Sequence, residues 1–176
     1  MQRRLHIGGE IRAQSWEIFN IMPGPEVDHQ GDARDLSRFE DSTFIEIYAA
    51  HVLEHFNYIN ELESVLKEWF RVLVPGGKLY ISVPDLDTLA QLIAAKDKLT
   101  IQERFLVMQM MFGGQLNMHD FHHVGLNEEF LAYFLSRAGF GNMWRVKSFG
   151  FFQDSSEMSF KAVSISLNVI AEKPVS

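Results

Sequence analysis

The sequence predicts an α/β fold: a mostly parallel sheet with helices packed on its faces, closed at the C-terminal end by an antiparallel hairpin. Three observations carry this. Short apolar runs of strand character at 5–7, 16–21, 44–49 and 78–83 are followed or separated by segments of helical periodicity, and strand–helix alternation is the pattern of a parallel sheet. Residues 31–85 contain a complete strand–helix–strand unit, broken by Pro75-Gly76-Gly77. The last two strand runs, 143–149 and 159–171, are separated only by 150–157, which is short enough for an antiparallel return.

Each element follows from local chemistry. Leu5 to Ile7 is a strand that breaks at Gly8-Gly9. Residues 16–21 (WEIFNI) combine aromatic and β-branched side chains and end at Met22-Pro23-Gly24-Pro25, which must be loop. Val27-Asp28 is read as a third, very short strand leading to Gly31. Residues 44–49 (FIEIYA) form a strand between Glu40-Asp41-Ser42 and His51. Residues 60–73 are the clearest helix: Leu62, Val65, Leu66, Trp69 and Leu73 make one apolar stripe, Asn60 is the expected cap, and Glu61 and Glu63 sit where the helix dipole favours anions. Residues 78–83 (KLYISV) are the next strand, ended by Pro84.

Helices follow at 86–95 and 101–112, the second rich in methionine. A histidine-rich loop covers 115–125, and Asn127 is expected to cap a helix that ends at Gly139. The expected buried face of that helix is Phe130, Leu131, Phe134, Leu135 and Ala138. With no repeats and no linker-like stretch, residues 1–176 are read as one domain.

Composition narrows the function. The net charge is −7, which argues against nucleic acid or an anionic membrane as the main partner, since both select basic faces. There is no cysteine, so disulfides and thiolate metal sites are excluded. The expectation is a cytoplasmic protein without signal peptide or membrane span. In open α/β sheets ligands lie beyond the carboxyl ends of the strands. Those ends are Gly8-Gly9, Asn20, Gly31-Asp32, Ala50-His51 and Pro84-Asp85, and all five are expected to face one crevice.

Strand-Gly-Gly, GDARDL, FIEIYAAHVLEHF, an amphipathic helix, LVPGGKLYISVPD and the closing hairpin together resemble a class I S-adenosylmethionine-dependent methyltransferase. The nearest group is the type 11 methyltransferase-like proteins, in a short form with a reduced N-terminus. The resemblance covers nearly the whole chain and is strongest over 31–85. It implies a Rossmann-like three-layer sandwich with a mostly parallel, twisted sheet and S-adenosylmethionine as cofactor. It also implies roles. Gly8 and Gly9 match the glycine turn beside the methionine moiety, and Asn20 falls where the family has an acid gripping the ribose. Gly31, Asp32 and Ala33 match the adenine-reading position, through a carboxylate and a backbone N–H. Ala50 and His51 lie beside the sulfonium. Pro75-Gly76-Gly77 is a structural turn.

This sequence departs from the family at four places. The glycine motif is the short LHIGGE, with His6 and Gly9 where other residues are common, in place of a longer glycine pattern with an acid in or after the strand. Only six residues, 10–15, separate the first two strands, so the N-terminal helix usually found between them is missing. Asn20 is neutral, and Ile45 replaces a frequent acid.

Rival readings attach to the same residues. His51-x-x-Glu54-His55 matches a zinc-peptidase pattern, but that chemistry needs a stable helix and the motif directly follows a strand; no resident metal is expected. Asp32 is either an adenine ligand or a turn residue. Among His119, His122 and His123, His122 is expected on the substrate side, and His51 and His122 are the candidate catalytic residues, orienting an acceptor or taking its proton. Met108, Met110, Met111 and Phe112 are helix core or the wall of an apolar acceptor pocket. The expected partners are a small-molecule acceptor and a second copy of the chain, covering the sheet face left by the missing helix. The alternative function is a catalytically degenerate binding or scaffold subunit of the same fold.

Overall fold

The computed structural model describes residues 2–175. In chain order its main strands are β1 (Arg3–Ile7), β2 (Glu17–Asn20), β3 (His29–Gln30), β4 (Phe44–Ala50), β5 (Leu73–Pro84), β6 (Met143–Val146), β7 (Ser159–Phe160), β8 (Val163–Ser164) and β9 (Ser166–Glu172). The helices are α1 (Leu62–Val72), α2 (Leu86–Ala94), α3 (Ile101–Phe112) and α4 (Glu128–Ala138). Seven strands form one sheet in the order β3-β2-β1-β4-β5-β9-β6. β1 to β5 pair in parallel, and β9 runs antiparallel to both β5 and β6. The chain winds outward from β1 in one direction and from β4 in the other. The switch point, where such sheets open a ligand crevice, therefore lies between the ends of β1 and β4.

One sheet face carries the main core. Leu5, Ile7, Phe19, Ile47, Ala49, Leu79, Ile81 and Val83 pack against Leu62, Val65, Leu66, Trp69 and Val72 of α1 and Leu131, Leu135 and Ala138 of α4. The stripe predicted for α1 is fully buried. The other face has no helix between β1 and β2. The segment from Gly8 to Trp16 crosses it, turning at Ser15 in the left-handed region (φ 69°). Trp16 then packs edge-on to Tyr48 and Phe152. Phe149 and Phe152, from the segment after β6, complete the cover with Tyr80. Aromatic rings thus take the space of the missing helix. The face that suggested self-association is covered by the chain's own residues.

Several local expectations are corrected. The third strand forms at His29–Gln30, two residues later than expected, because the Asp28 carboxylate accepts the Ile18 N–H (2.8 Å) and is drawn off the strand. Asn60 does not cap α1. The Asn57 side chain accepts the Ile59 and Asn60 N–H groups, and Glu61 stands at the cap position without a side-chain cap bond. The Pro75-Gly76-Gly77 break lies within β5: pairing jumps from Phe44–Leu73 to Glu46–Lys78, and Gly76 (φ 75°) forms the bulge. The expected strand 159–171 divides into β7, β8 and β9, because Lys161 and Ala162 (φ 49° and 64°) turn β7 back on β8. Phe130 is 49% exposed rather than buried. Asn127 does cap α4, accepting the Phe130 N–H at 2.8 Å, and Gly139 (φ 103°) ends it.

Candidate functional site

The crevice at the switch point has a volume of about 310 Å³. Gly8, Asn20, Gly31, Asp32, Ala33 and His51 line it, so six predicted positions converge. Gly9 and Ala50 line an adjoining hollow with His6 and Glu10, and His51 forms part of that wall too. His122 lies in a third hollow, with Leu106, Gln109, Met110, Met158 and Ile165, where His51 again forms one wall. His51 thus stands where all three hollows meet. His122 lines neither of the first two hollows, and the methionine side of α3 serves both as core packing and as hollow wall. Pro84 reaches only the third hollow. Asp85 is buried and paired with Arg145 at 2.9 Å, so it faces away from the crevice and corrects the expectation that all five strand ends converge.

His51 follows the last residue of β4 and takes a left-handed conformation (φ 55°). That is uncommon for any residue but glycine, although histidine, like Asn and Asp, adopts it more readily than most. Here the His51 N–H donates to Ser82 O (2.8 Å), one ring nitrogen meets Ser166 Oγ (3.1 Å), and the other lies 3.4 Å from Glu54 Oε1. Burial pushes the His51 pKa down to about 4, with the neighbouring His122 adding to the effect. Burial alone pushes Glu54 up to about 8. Both groups are therefore uncharged near neutral pH, and their contact is a neutral one rather than an ion pair.

The turn after β1 depends on glycine twice. Gly8 is left-handed (φ 76°), and a Cβ there would lie 2.6 Å from Val52. A Cβ at Gly9 would strike the His6 ring at 2.6 Å. Asn20 clamps this turn: its Nδ2 donates to Gly9 O (3.0 Å) and its Oδ1 accepts the Met22 N–H (2.9 Å). A carboxylate could not donate the first of these bonds, which explains a neutral amide at this position. Asp32 takes its turn reading and also lines the crevice. Its carboxylate accepts the Arg34 N–H (2.9 Å) in a turn and binds the Arg34 guanidinium (2.9 Å), while the residue lines the crevice. Arg34 also reaches Glu61 (3.1 Å) and lies 4.8 Å over the Phe56 ring.

The sequence reading missed Glu10, Arg34, Phe56 and His55, all of which line the crevice. Glu10 carried a signal: it follows Gly9 directly, as an exposed acid at the mouth of the turn. HVLEH gave no helix. Leu53–His55 is a single tight turn, so His51 and His55 are not on one helical face. Instead Glu54 points inward, 1% exposed, and apart from the 3.4 Å approach of His51 neither carboxylate oxygen has a hydrogen-bond partner among the described residues.

Residues 14–81 match the family described as "Methyltransferase domain". No curated protein matches the sequence. A methyltransferase dependent on S-adenosylmethionine from Methanosarcina mazei is 17% identical, with 99% of this chain and 93% of that one aligned at a TM-score of 0.62. One from Archaeoglobus fulgidus is 14% identical over 98% of this chain and 86% of the other, at 0.61. The CurJ carbon methyltransferase is 18% identical at 0.61, and this chain aligns over 98% of its own length but spans only 48% of that protein. Residues 14–81 thus carry the match to the methyltransferase domain, and the chain as a whole has the fold of S-adenosylmethionine-dependent methyltransferases.

Proposed function

We propose that the chain transfers a methyl group from S-adenosylmethionine to a small-molecule acceptor. The observation that carries this is the place of His51, at the meeting of a crevice with nucleoside-compatible walls and a hollow with apolar walls. The residues fit the cofactor. Gly8 and Gly31 line the crevice without side chains of their own, and glycine is required at both by close packing, since a Cβ would lie 2.6 Å from Val52 and from the Phe19 ring respectively. The Ala33 N–H takes part in none of the hydrogen bonds among the described residues. Asp32 and this N–H would hold the adenine, Glu10 the ribose or amino group, and the turn at Gly8-Gly9 the methionine portion.

The cofactor supplies an electrophilic methyl group on a sulfonium, so the chain's main task is alignment. His51 is suited to it. A ring with a pKa of about 4 is a weak base at neutral pH, so it orients the acceptor by a hydrogen bond rather than removing its proton. As a neutral imidazole it also adds no positive charge beside a sulfonium. His122, likewise lowered to about 4 by burial and by His55, acts as a second neutral hydrogen-bonding group. The acceptor hollow, walled by Leu106, Met110 and Ile165 with Gln109 and the two histidines as polar points, suits a small and largely apolar molecule with one polar handle.

Calorimetric titration with S-adenosylmethionine and its demethylated product tests this. Binding of both is expected. Binding of neither sinks the reading and leaves the chain a binding subunit of methyltransferase fold.

A further inference from the structure

We propose that Glu54, His55 and His122 form a site for a divalent transition-metal ion of the zinc class, in the wall between the two hollows. One ligand atom from each residue can be chosen so that all three lie within 4.8 Å of one another. Glu54 is the independent sign of a ligand. Its carboxylate is buried, and neither oxygen makes a hydrogen bond among the described residues; the nearest polar atom recorded, His51 Nδ1, lies 3.4 Å from Oε1. A buried carboxyl group left without hydrogen bonds costs stability and calls for an explanation.

One of the two histidines has the outer hydrogen bond that metal-ligating imidazoles usually make. His55 Nδ1 meets the Phe121 carbonyl at 3.0 Å, which fixes the tautomer and leaves Nε2 free. The two rings are 5.0 Å apart and nearly perpendicular, at 77°. The segments that bear the ligands are stitched together, because the His123 N–H donates to Glu54 O at 2.7 Å. The positions are therefore preorganised across the turn after β4 and the loop after α3.

Two imidazoles and one carboxylate suit zinc and its neighbours, and three protein ligands leave a coordination position open. His55 lines the nucleoside-side crevice and His122 the acceptor-side hollow, so the open position faces the space where an acceptor enters. An ion there would fix an oxygen or nitrogen of the acceptor as a Lewis acid. That last role rests on the methyl-transfer reading; the site itself does not. The proposal departs from the sequence expectation of no metal, and it uses a different set from the His-x-x-Glu-His pattern, with Glu54 as ligand and His51 outside.

The test is titration of the chelator-treated protein with Zn2+ alone, followed by calorimetry. One ion per chain is expected to bind. Glu54→Gln keeps the side chain's size without its charge and is expected to weaken binding by at least ~10-fold. His122→Ala, on the loop, is expected to do the same. His119→Ala, at an exposed histidine outside the set, is expected to leave the affinity unchanged. If Glu54→Gln fails to fold by circular dichroism, His122→Ala decides. No zinc binding overturns the proposal, as does binding that survives His122→Ala or is lost with His119→Ala. No cofactor enters this titration, so its result is independent of whether S-adenosylmethionine binds.

Discussion

At the scale of single residues, the site is set by which polar groups are already occupied. Asn20 illustrates this. Sequence places it where an acid would grip ribose, but its amide holds Gly9 O and the Met22 N–H together. Asn20→Asp is therefore expected to destabilise the fold by about 1–3 kcal/mol, by replacing a donor with a repelling oxygen. Urea denaturation checks this, and an unchanged midpoint would remove the clamp. Its place in the crevice as an acid falls to Glu10. Glu10→Gln is expected to raise the dissociation constant for S-adenosylmethionine about tenfold, a loss in the range of a charge-assisted hydrogen bond, with the melting temperature unchanged. His51→Ala is expected to lower kcat far more than it weakens cofactor binding. The burial of Glu54 was not legible in HVLEH, because a tight turn and a helix start from the same letters and only the packing distinguishes them.

At the scale of elements, the strand–helix–strand unit was readable because its apolar stripe obeys one period throughout. Every member of the stripe from Leu62 to Leu73 is buried. The absence of a helix between β1 and β2 was readable too, from chain length. What replaces that helix was not. Trp16 meets Phe152 only across the whole sequence, and no local period marks that contact. Trp16→Ala is expected to cost about 3–5 kcal/mol, the penalty for emptying a buried aromatic position, and to expose the Tyr48 face to apolar dyes. A loss no larger than that of a surface substitution would mean the rings do not replace the helix. The Pro-Gly-Gly break was recognised but misassigned. It bulges inside β5, because the register shift of the strand pair, unlike the glycine itself, cannot be read from one strand.

At the scale of the whole molecule, the mostly parallel sheet and the convergence of four of the five strand ends followed from the alternation of elements, while the strand order and the cover of the second face did not. That cover has a consequence for stability against pH. His6 is buried against Tyr48 and Phe152, and burial lowers its pKa to about 4, with Asp154 opposing more weakly. In the unfolded chain it protonates near 6.5. Between those values the unfolded state holds the extra proton, so stability is full above about pH 6.5 and falls as the pH drops toward 4, by ~3 kcal/mol for this residue. Other buried histidines titrate in the same window. The difference between wild type and His6→Phe, followed by denaturation across that range, isolates the effect: the variant's curve is expected to be flatter, and parallel curves would show that His6 is not buried neutral.

Gly31, Asp32 and Ala33 are expected to face the nucleoside and Gly8 the methionine portion of one cofactor. Amide NMR spectra recorded during titration with the demethylated cofactor test it most directly. The predicted result is shifts centred on Gly8, Gly31, Asp32, Ala33 and His51. Saturating ligand with no shifts, or shifts confined to the outer hollow at Tyr58, Phe130 and Phe134, would contradict it.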